Sequence, residues 1–231
     1  MSGPSRLVLF DIDGTLVLTG GAGKRAMDDA FAAVFGITDA FADLPISGRT
    51  DRFLVEYGLT RRGLPITTAA VDRFRTAYLD RLARTIHEPG HGRRGVLPGV
   101  VALLDALAAR PAVQTALLTG NFAAGARIKL DHFGLWQHFA WGAFGDDHAD
   151  RDALARSALA AAPGQGVALV DPADAVVIGD TPFDIACARA AGARVVAVAT
   201  GGHSLDELRA YQPDLAVADL GQLDRVLDLI G

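Results

Sequence analysis

Apolar residues along the chain fall into short runs separated by longer stretches of helical period. The runs occupy residues 7–10, 113–118, 175–178, 195–198 and 215–217, with a weaker one near 139–144. Each has the length of a strand buried on both faces. The stretches 100–109, 123–133, 152–162 and 183–191 repeat their apolar positions at helical spacing. This alternation predicts an α/β chain with a Rossmann-like, three-layer core, in which helices cover a parallel sheet.

Residues 16–95 break the alternation. They carry helical patterns over 24–35, 52–57 and 69–86, and no strand is expected among them. Gly20, Gly21 and Gly23 form a flexible link into this segment. Pro89, Gly90 and residues 91–95 form the way back. The expected division is therefore a core of residues 1–15 and 96–231 with a helical insertion of residues 16–95.

Composition narrows the classes of function. The 231 residues, half of them apolar, suffice for a large core. A net charge of -5 argues against nucleic acid as a partner. The single cysteine, Cys187, allows no intrachain disulfide and fits a reducing compartment. The apolar run before Asp11 is too short for a signal peptide, and no stretch approaches the roughly 20 apolar residues of a membrane span. A cytoplasmic location without membrane contact is expected, as a monomer or homodimer.

Three polar clusters each follow a predicted strand: Asp11-Ile12-Asp13-Gly14-Thr15, Thr119-Gly120-Asn121, and Gly179-Asp180-Thr181-Pro182-Phe183-Asp184. The carboxyl ends of strands in an open parallel sheet form its ligand crevice, so these distant clusters should converge. Asp11 and Asp13 lie two apart in extended chain and project to the same side. Two carboxylates in one pocket cannot both ionise easily without a cation nearby. With Asp180 and Asp184 added, the set calls for a hard divalent ion, and Mg²⁺ suits oxygen ligands. Taken singly, the clusters also suit ordinary roles. Asp13-Gly14 is a turn dipeptide, Thr181 with Pro182 and Asp184 is a helix start, and Thr119-Gly120-Asn121 is a plain loop.

In this order and at these strand ends, the residues resemble the haloacid dehalogenase-like superfamily, in its phosphoglycolate phosphatase and β-phosphoglucomutase-like branch. Asp11 to Thr15 is similar to the first motif, Leu117-Leu118-Thr119-Gly120-Asn121 to the second, and Val177 to Asp184 to the fourth. The resemblance covers nearly the whole chain. It implies a Mg²⁺-dependent phosphatase acting on a small-molecule phosphate monoester, with Asp11 as nucleophile and Asp13 as acid and base. Thr119, Gly120 and Asn121 would hold the transferring phosphoryl group. Asp11, the Asp13 carbonyl and Asp180 would ligate the metal, with Asp184 assisting. Superfamily dehalogenases lack an acid/base aspartate at the place of Asp13, so dehalogenation is not expected.

The third motif departs from the family pattern. Its usual Lys-Pro is absent, and the nearest position reads His148-Ala149-Asp150-Arg151-Asp152. Either Arg151 or Lys129, on the helix after Thr119, would supply the positive charge. The insertion resembles the family's cap, which closes over the site and selects substrate. Gly48-Arg49-Thr50-Asp51 resembles the cap's specificity loop, and Arg49 would contact a second anionic group of the substrate. Family mutases tend to carry a histidine near position 23, where this chain has Gly23, which weighs against the alternative reading, a phosphosugar mutase. A non-enzymatic phospho-acceptor domain is a more distant one.

Other patterns are decoys. His87 and His91 match the letters of a zinc protease motif, but Pro89-Gly90 would break the helix it needs. Gly23-Lys24 lacks the other residues of a phosphate loop. Asp146-Asp147-His148 is expected to be an acidic turn near the site rim, and Cys187 a core residue.

Overall fold

The computed structural model describes residues 5–146 and 148–231. Six parallel strands form the main sheet: β1 (Arg6–Phe10), β4 (Val113–Leu118), β5 (Gly142–Ala143), β6 (Ala175–Gly179), β7 (Arg194–Val198) and β8 (Leu215–Val217). Their order is β5-β4-β1-β6-β7-β8. Strand β1 is central, with Phe10 opposite Leu117 on one side and Ile178 on the other. The chain leaves β1 for β4 on one side and later returns to β6 on the other. The crevice of such a sheet opens at this reversal, beyond the carboxyl ends of the strands.

The alternation of side chains along β1 builds two layers of core. Val8 and Phe10 pack among residues of α4 (Val100–Ala108), α5 (Ala123–His132) and α9 (Leu223–Ile230). Leu7 and Leu9 pack among residues of α6 (Arg151–Ala161), α7 (Pro182–Ala191) and α8 (Leu205–Ala210). The expected strands of the sheet are all present, and the weak one near 139–144 is the two-residue edge strand β5.

The insertion holds α1 (Ala22–Phe35), α2 (Asp51–Arg61) and α3 (Thr68–Thr85). These helices bury their own cluster, including Phe31, Leu54, Phe74, Tyr78 and Leu82, and Phe122 from the loop after β4 joins it. A short ribbon, not expected from the sequence, joins the sheet and the insertion. Val17–Thr19 (β2) and Arg94–Val96 (β3) pair antiparallel, with Val17 opposite Val96 and Thr19 opposite Arg94. Arg94–Val96 contains no apolar run and Val17–Thr19 only two apolar residues, so neither stands out in the pattern. The ribbon joins the two crossings between insertion and sheet. The glycine link is also shorter than expected, because α1 begins at Ala22 and takes in Gly23 and Lys24. Helix α3 ends at Thr85, so neither His87 nor His91 lies on a helix. Among the described residues, no helix is long and apolar enough to cross a membrane.

Candidate active site

A cavity of about 480 Å³ lies between the carboxyl ends of the strands and the insertion. Asp11, Asp13, Thr119, Gly120, Asn121, Lys129, Arg151 and Asp180 line it from the sheet side, and Arg49 and Asp51 from the insertion. The structure thus brings the sequence-selected residues to one place. Asp184 stands just behind, fully buried.

Asp11 follows the last residue of β1, and its backbone N–H donates to the Ile178 carbonyl at 3.0 Å. The chain then turns through Gly14, whose φ of +86° favours glycine. A Cβ on Gly14 would come within 2.4 Å of Asp180 Oδ2, and one on Gly201 within 1.7 Å of the same oxygen. Two glycines therefore make the seat of the Asp180 carboxylate.

The two candidate cations serve different carboxylates. Arg151, at the start of α6, ion-pairs through Nη2 with Asp11 Oδ1 at 3.1 Å and with Asp184 Oδ1, and its Nη1 donates to the Gly48 carbonyl at 3.1 Å. Lys129, buried on α5, donates from Nζ to Asp13 Oδ2 at 2.5 Å and to Asn121 Oδ1 at 2.6 Å. Asn121 Nδ2 donates to the same Asp13 oxygen at 2.9 Å and to Thr119 Oγ1 at 2.8 Å. A Cβ on Gly23 would lie 3.2 Å from Lys129 Nζ, so the small residue on α1 leaves space beside the ammonium.

Acidic charge exceeds basic charge here, and the carboxyl groups register it. Burial raises Asp11 to about 6, with Asp184 and Asp13 adding to the effect and Arg151 opposing it. Burial, then Asp184 and Asp11, push Asp180 well above the usual carboxylate range. Burial would lower Arg151, but Asp184 and Asp11 outweigh it and hold the guanidinium charged.

This donor set fits a divalent metal. One carboxylate oxygen from each of Asp11, Asp180 and Asp184 lies within 4.8 Å of the others. Among the described residues, the Asp180 carboxylate receives one hydrogen bond, a 3.4 Å contact from Thr15 Oγ1, which leaves it open to a ligand. Asp184 has both oxygens engaged, Oδ1 with Arg151 and Oδ2 with the N–H and hydroxyl of Thr181 at 3.0 and 2.7 Å. It supports the cluster by charge and by fixing Arg151. The Asp13 carboxylate faces Lys129 and Asn121 rather than this cluster.

Arg49 lies over the rings of Phe53 at 4.6 Å and Phe183 at 5.1 Å, with Nε donating to the Pro45 carbonyl. Its guanidinium is held at the cavity edge by cation–π contacts from both the insertion and the sheet side. Cys187 is fully buried, and burial pushes its thiol up to about 12, which leaves it inert. Asp146 Oδ2 accepts from Ala123 N at 2.6 Å, while Asp147 lies outside the described residues.

The sequence alone does not single out Thr200, and it gives Asp51 no role beyond its place in the loop of residues 48–51. Thr200, just after β7, donates to the Gly14 carbonyl at 2.6 Å. The strand-end rule that selected the other clusters applies equally to it. Asp51 is buried on the cavity wall, and burial raises it to about 7 against the pull of Lys129 and the Phe122 N–H. At the first turn of α2 it reads in sequence as an ordinary helix-start residue.

Comparison with known proteins identifies the family. The model for haloacid dehalogenase-like hydrolases matches residues 5–192. Phosphoglycolate phosphatase of Rhodospirillum rubrum is 33% identical, covering 85% of this chain and 80% of that protein. Phosphoglycolate phosphatase 1 of Pseudomonas aeruginosa is 29% identical, covering 94% and 78%. Among solved structures, β-phosphoglucomutase of Clostridium difficile superposes with a TM-score of 0.72 at 17% identity, covering 98% and 97% of the two chains. At that identity the likeness concerns the fold.

Proposed function

The chain belongs to the haloacid dehalogenase-like hydrolase family and is a phosphoric monoester hydrolase; on that premise, we propose that it cleaves a small phosphate monoester, phosphoglycolate or a sugar phosphate, through an Asp11 phosphoryl intermediate with Mg²⁺ as cofactor. The observation that carries this reading is the pairing of two carboxylates two residues apart with separate cations: Arg151 on Asp11 and Lys129 on Asp13.

In the first step an Asp11 carboxylate oxygen bonds to phosphorus as the ester P–O bond breaks, and Asp13 gives its proton to the departing oxygen. In the second step the Asp13 carboxylate takes a proton from water. That water's oxygen bonds to phosphorus, the acyl-phosphate bond breaks, and phosphate leaves with Asp11 restored. Splitting one displacement into two is the benefit of covalent catalysis. Phosphoryl transfer depends mainly on in-line positioning and on neutralising the equatorial oxygens. Asp11, Asp180 and the Asp13 carbonyl would hold Mg²⁺, with Asp184 behind them. The ion would supply charge stabilisation at the phosphoryl oxygens.

Arg151 takes the place of the third-motif cation in this reading, because it is the cation that reaches Asp11. Lys129 and Asn121 orient Asp13. Thr119, Gly120 and Asn121 receive the phosphoryl group, and Arg49 meets a second anionic group of the substrate. The insertion, residues 16–95, acts as a cap over the cavity. Gly23 beside Lys129 favours hydrolysis over phosphosugar mutation, because no side chain stands there to take the role of the mutase histidine.

The test is phosphate release from p-nitrophenyl phosphate with Mg²⁺, followed by a screen of phosphoglycolate, sugar phosphates and nucleotides. Asp11→Asn should abolish release, and Asp13→Asn should lower turnover at least a hundredfold. Full activity in Asp11→Asn would sink the mechanism.

A further inference from the structure

We propose that Asp51 is a positioning residue: from the insertion it clasps the Gly120–Phe122 loop and thereby sets the Asn121 amide that orients Asp13 and Lys129. The inference rests on the hydrolase reading above and deepens it.

The clasp has two points. The Asp51 backbone N–H donates to the Gly120 carbonyl at 2.6 Å, and the Phe122 N–H donates to Asp51 Oδ2 at 2.8 Å. These bonds bracket Asn121. Its amide in turn meets Asp13, Thr119 and Lys129, so a displacement of the loop backbone displaces all three contacts together.

The carboxylate of Asp51 is not needed by its own helix. Thr50 already caps α2, its hydroxyl accepting from Phe53 N at 3.1 Å. Helix α5, in contrast, has no cap of its own: Phe122 stands at the N-cap and supplies no side-chain hydrogen bond. Its first N–H groups are taken by carboxylates from elsewhere, Phe122 N by Asp51 of the insertion and Ala123 N by Asp146. Unpaired N–H groups at a helix start need such acceptors. The insertion therefore completes the start of the helix that carries Lys129. Contact here is tight enough that a Cβ on Gly120 would come within 2.3 Å of the Arg49 carbonyl. Burying a carboxylate at this point raises its proton affinity, a cost that a surface helix-start aspartate does not bear.

Lifting the insertion would strip the Gly120 carbonyl and the Phe122 N–H of their partners at once. Docking of the insertion and setting of the phosphoryl loop are then a single event, which ties water exclusion to assembly of the site.

The experiment measures kcat and KM with p-nitrophenyl phosphate and Mg²⁺, together with amide hydrogen exchange over residues 119–126. Asp51→Ala should lower kcat tenfold or more, keep KM within threefold and raise exchange at Phe122. Asp51→Asn retains an oxygen acceptor and should restore kcat to within threefold and protect the Phe122 amide. Arg84→Ala removes an exposed ion pair with Asp80 on α3, touches none of the groups at the start of α5, and should leave kcat and Phe122 exchange unchanged. If Asp51→Ala does not fold, Asp51→Glu carries the test: its longer side chain should lower kcat tenfold while Asp51→Asn does not. Asp51→Ala, or in its place Asp51→Glu, keeping kcat within threefold of wild type would overturn the proposal, as would unchanged Phe122 exchange in Asp51→Ala. A wild-type protein that hydrolyses no monoester would defeat the hydrolase reading, whereas the exchange at Phe122 reads the clasp without turnover.

Discussion

Asp11 holds its proton to about pH 6 because it is buried among other carboxylates, although Arg151 pulls the other way. The unfolded chain would release that proton near 3.8. Between these values the folded state binds more protons than the unfolded one, so ionising Asp11 destabilises the metal-free fold as pH rises from about 4 to about 6. A divalent ion reverses the sense, because its ligands must be deprotonated. Binding at a hundred times Kd adds about 2.7 kcal/mol of stability. For a chain of this size that amounts to a rise in melting temperature on the order of 5–10 °C. The rise from EDTA to saturating Mg²⁺ should therefore be larger at pH 8 than at pH 5. Equal shifts at the two pH values would remove Asp11 from the metal site. The four aspartates themselves were legible in the sequence, since each follows a strand and the strand ends of a parallel sheet must meet. The assignment of Arg151 to Asp11 and of Lys129 to Asp13 was not. It depends on where α5 and α6 lie across the sheet, and no spacing along the chain encodes that.

At the scale of elements, the strands of the sheet were readable as short apolar runs and its helices by their period. The ribbon of β2 and β3 was hidden by its composition, since Arg94–Val96 holds no apolar run and Val17–Thr19 only two apolar residues, and the contact between α2 and the loop after β4 was hidden by its nature. It is made of backbone groups and one carboxylate 71 residues away in sequence. Gly120 is the point where this contact is closest. A Cβ there would lie 2.3 Å from the Arg49 carbonyl and 2.8 Å from the Thr50 Cα, both of them backbone atoms that cannot rotate aside. Gly120→Ala should force the start of α2 away from the loop. We expect kcat/KM for p-nitrophenyl phosphate to fall at least tenfold, with the melting temperature of the sheet domain little changed. Wild-type kcat/KM in this variant would mean that the approach of α2 has no bearing on the site.

At the scale of the molecule, the described residues form three apolar clusters, two on the faces of the sheet and one inside the insertion. The third cluster is not self-contained. Phe122 comes from the sheet side, is 1% exposed, and packs with Tyr78 at a ring separation of 6.3 Å. Its backbone N–H meets Asp51 while its ring fills the insertion's core, so one residue ties the two bodies by hydrogen bond and by packing. Truncating a buried phenylalanine costs about 3–5 kcal/mol, from lost apolar burial and the cavity left behind. In Phe122→Ala that loss falls on the join between the bodies, while the two clusters on the sheet keep all their members. Urea unfolding of the wild type should be a single transition. In Phe122→Ala the insertion should unfold at lower urea than the sheet, visible as two steps or as a lowered apparent m-value. Phosphate release should be lost at the first step, because the cavity needs both walls. A variant whose single transition merely shifts to lower urea would show that the insertion is held to the sheet through other contacts, the β2–β3 ribbon foremost among them.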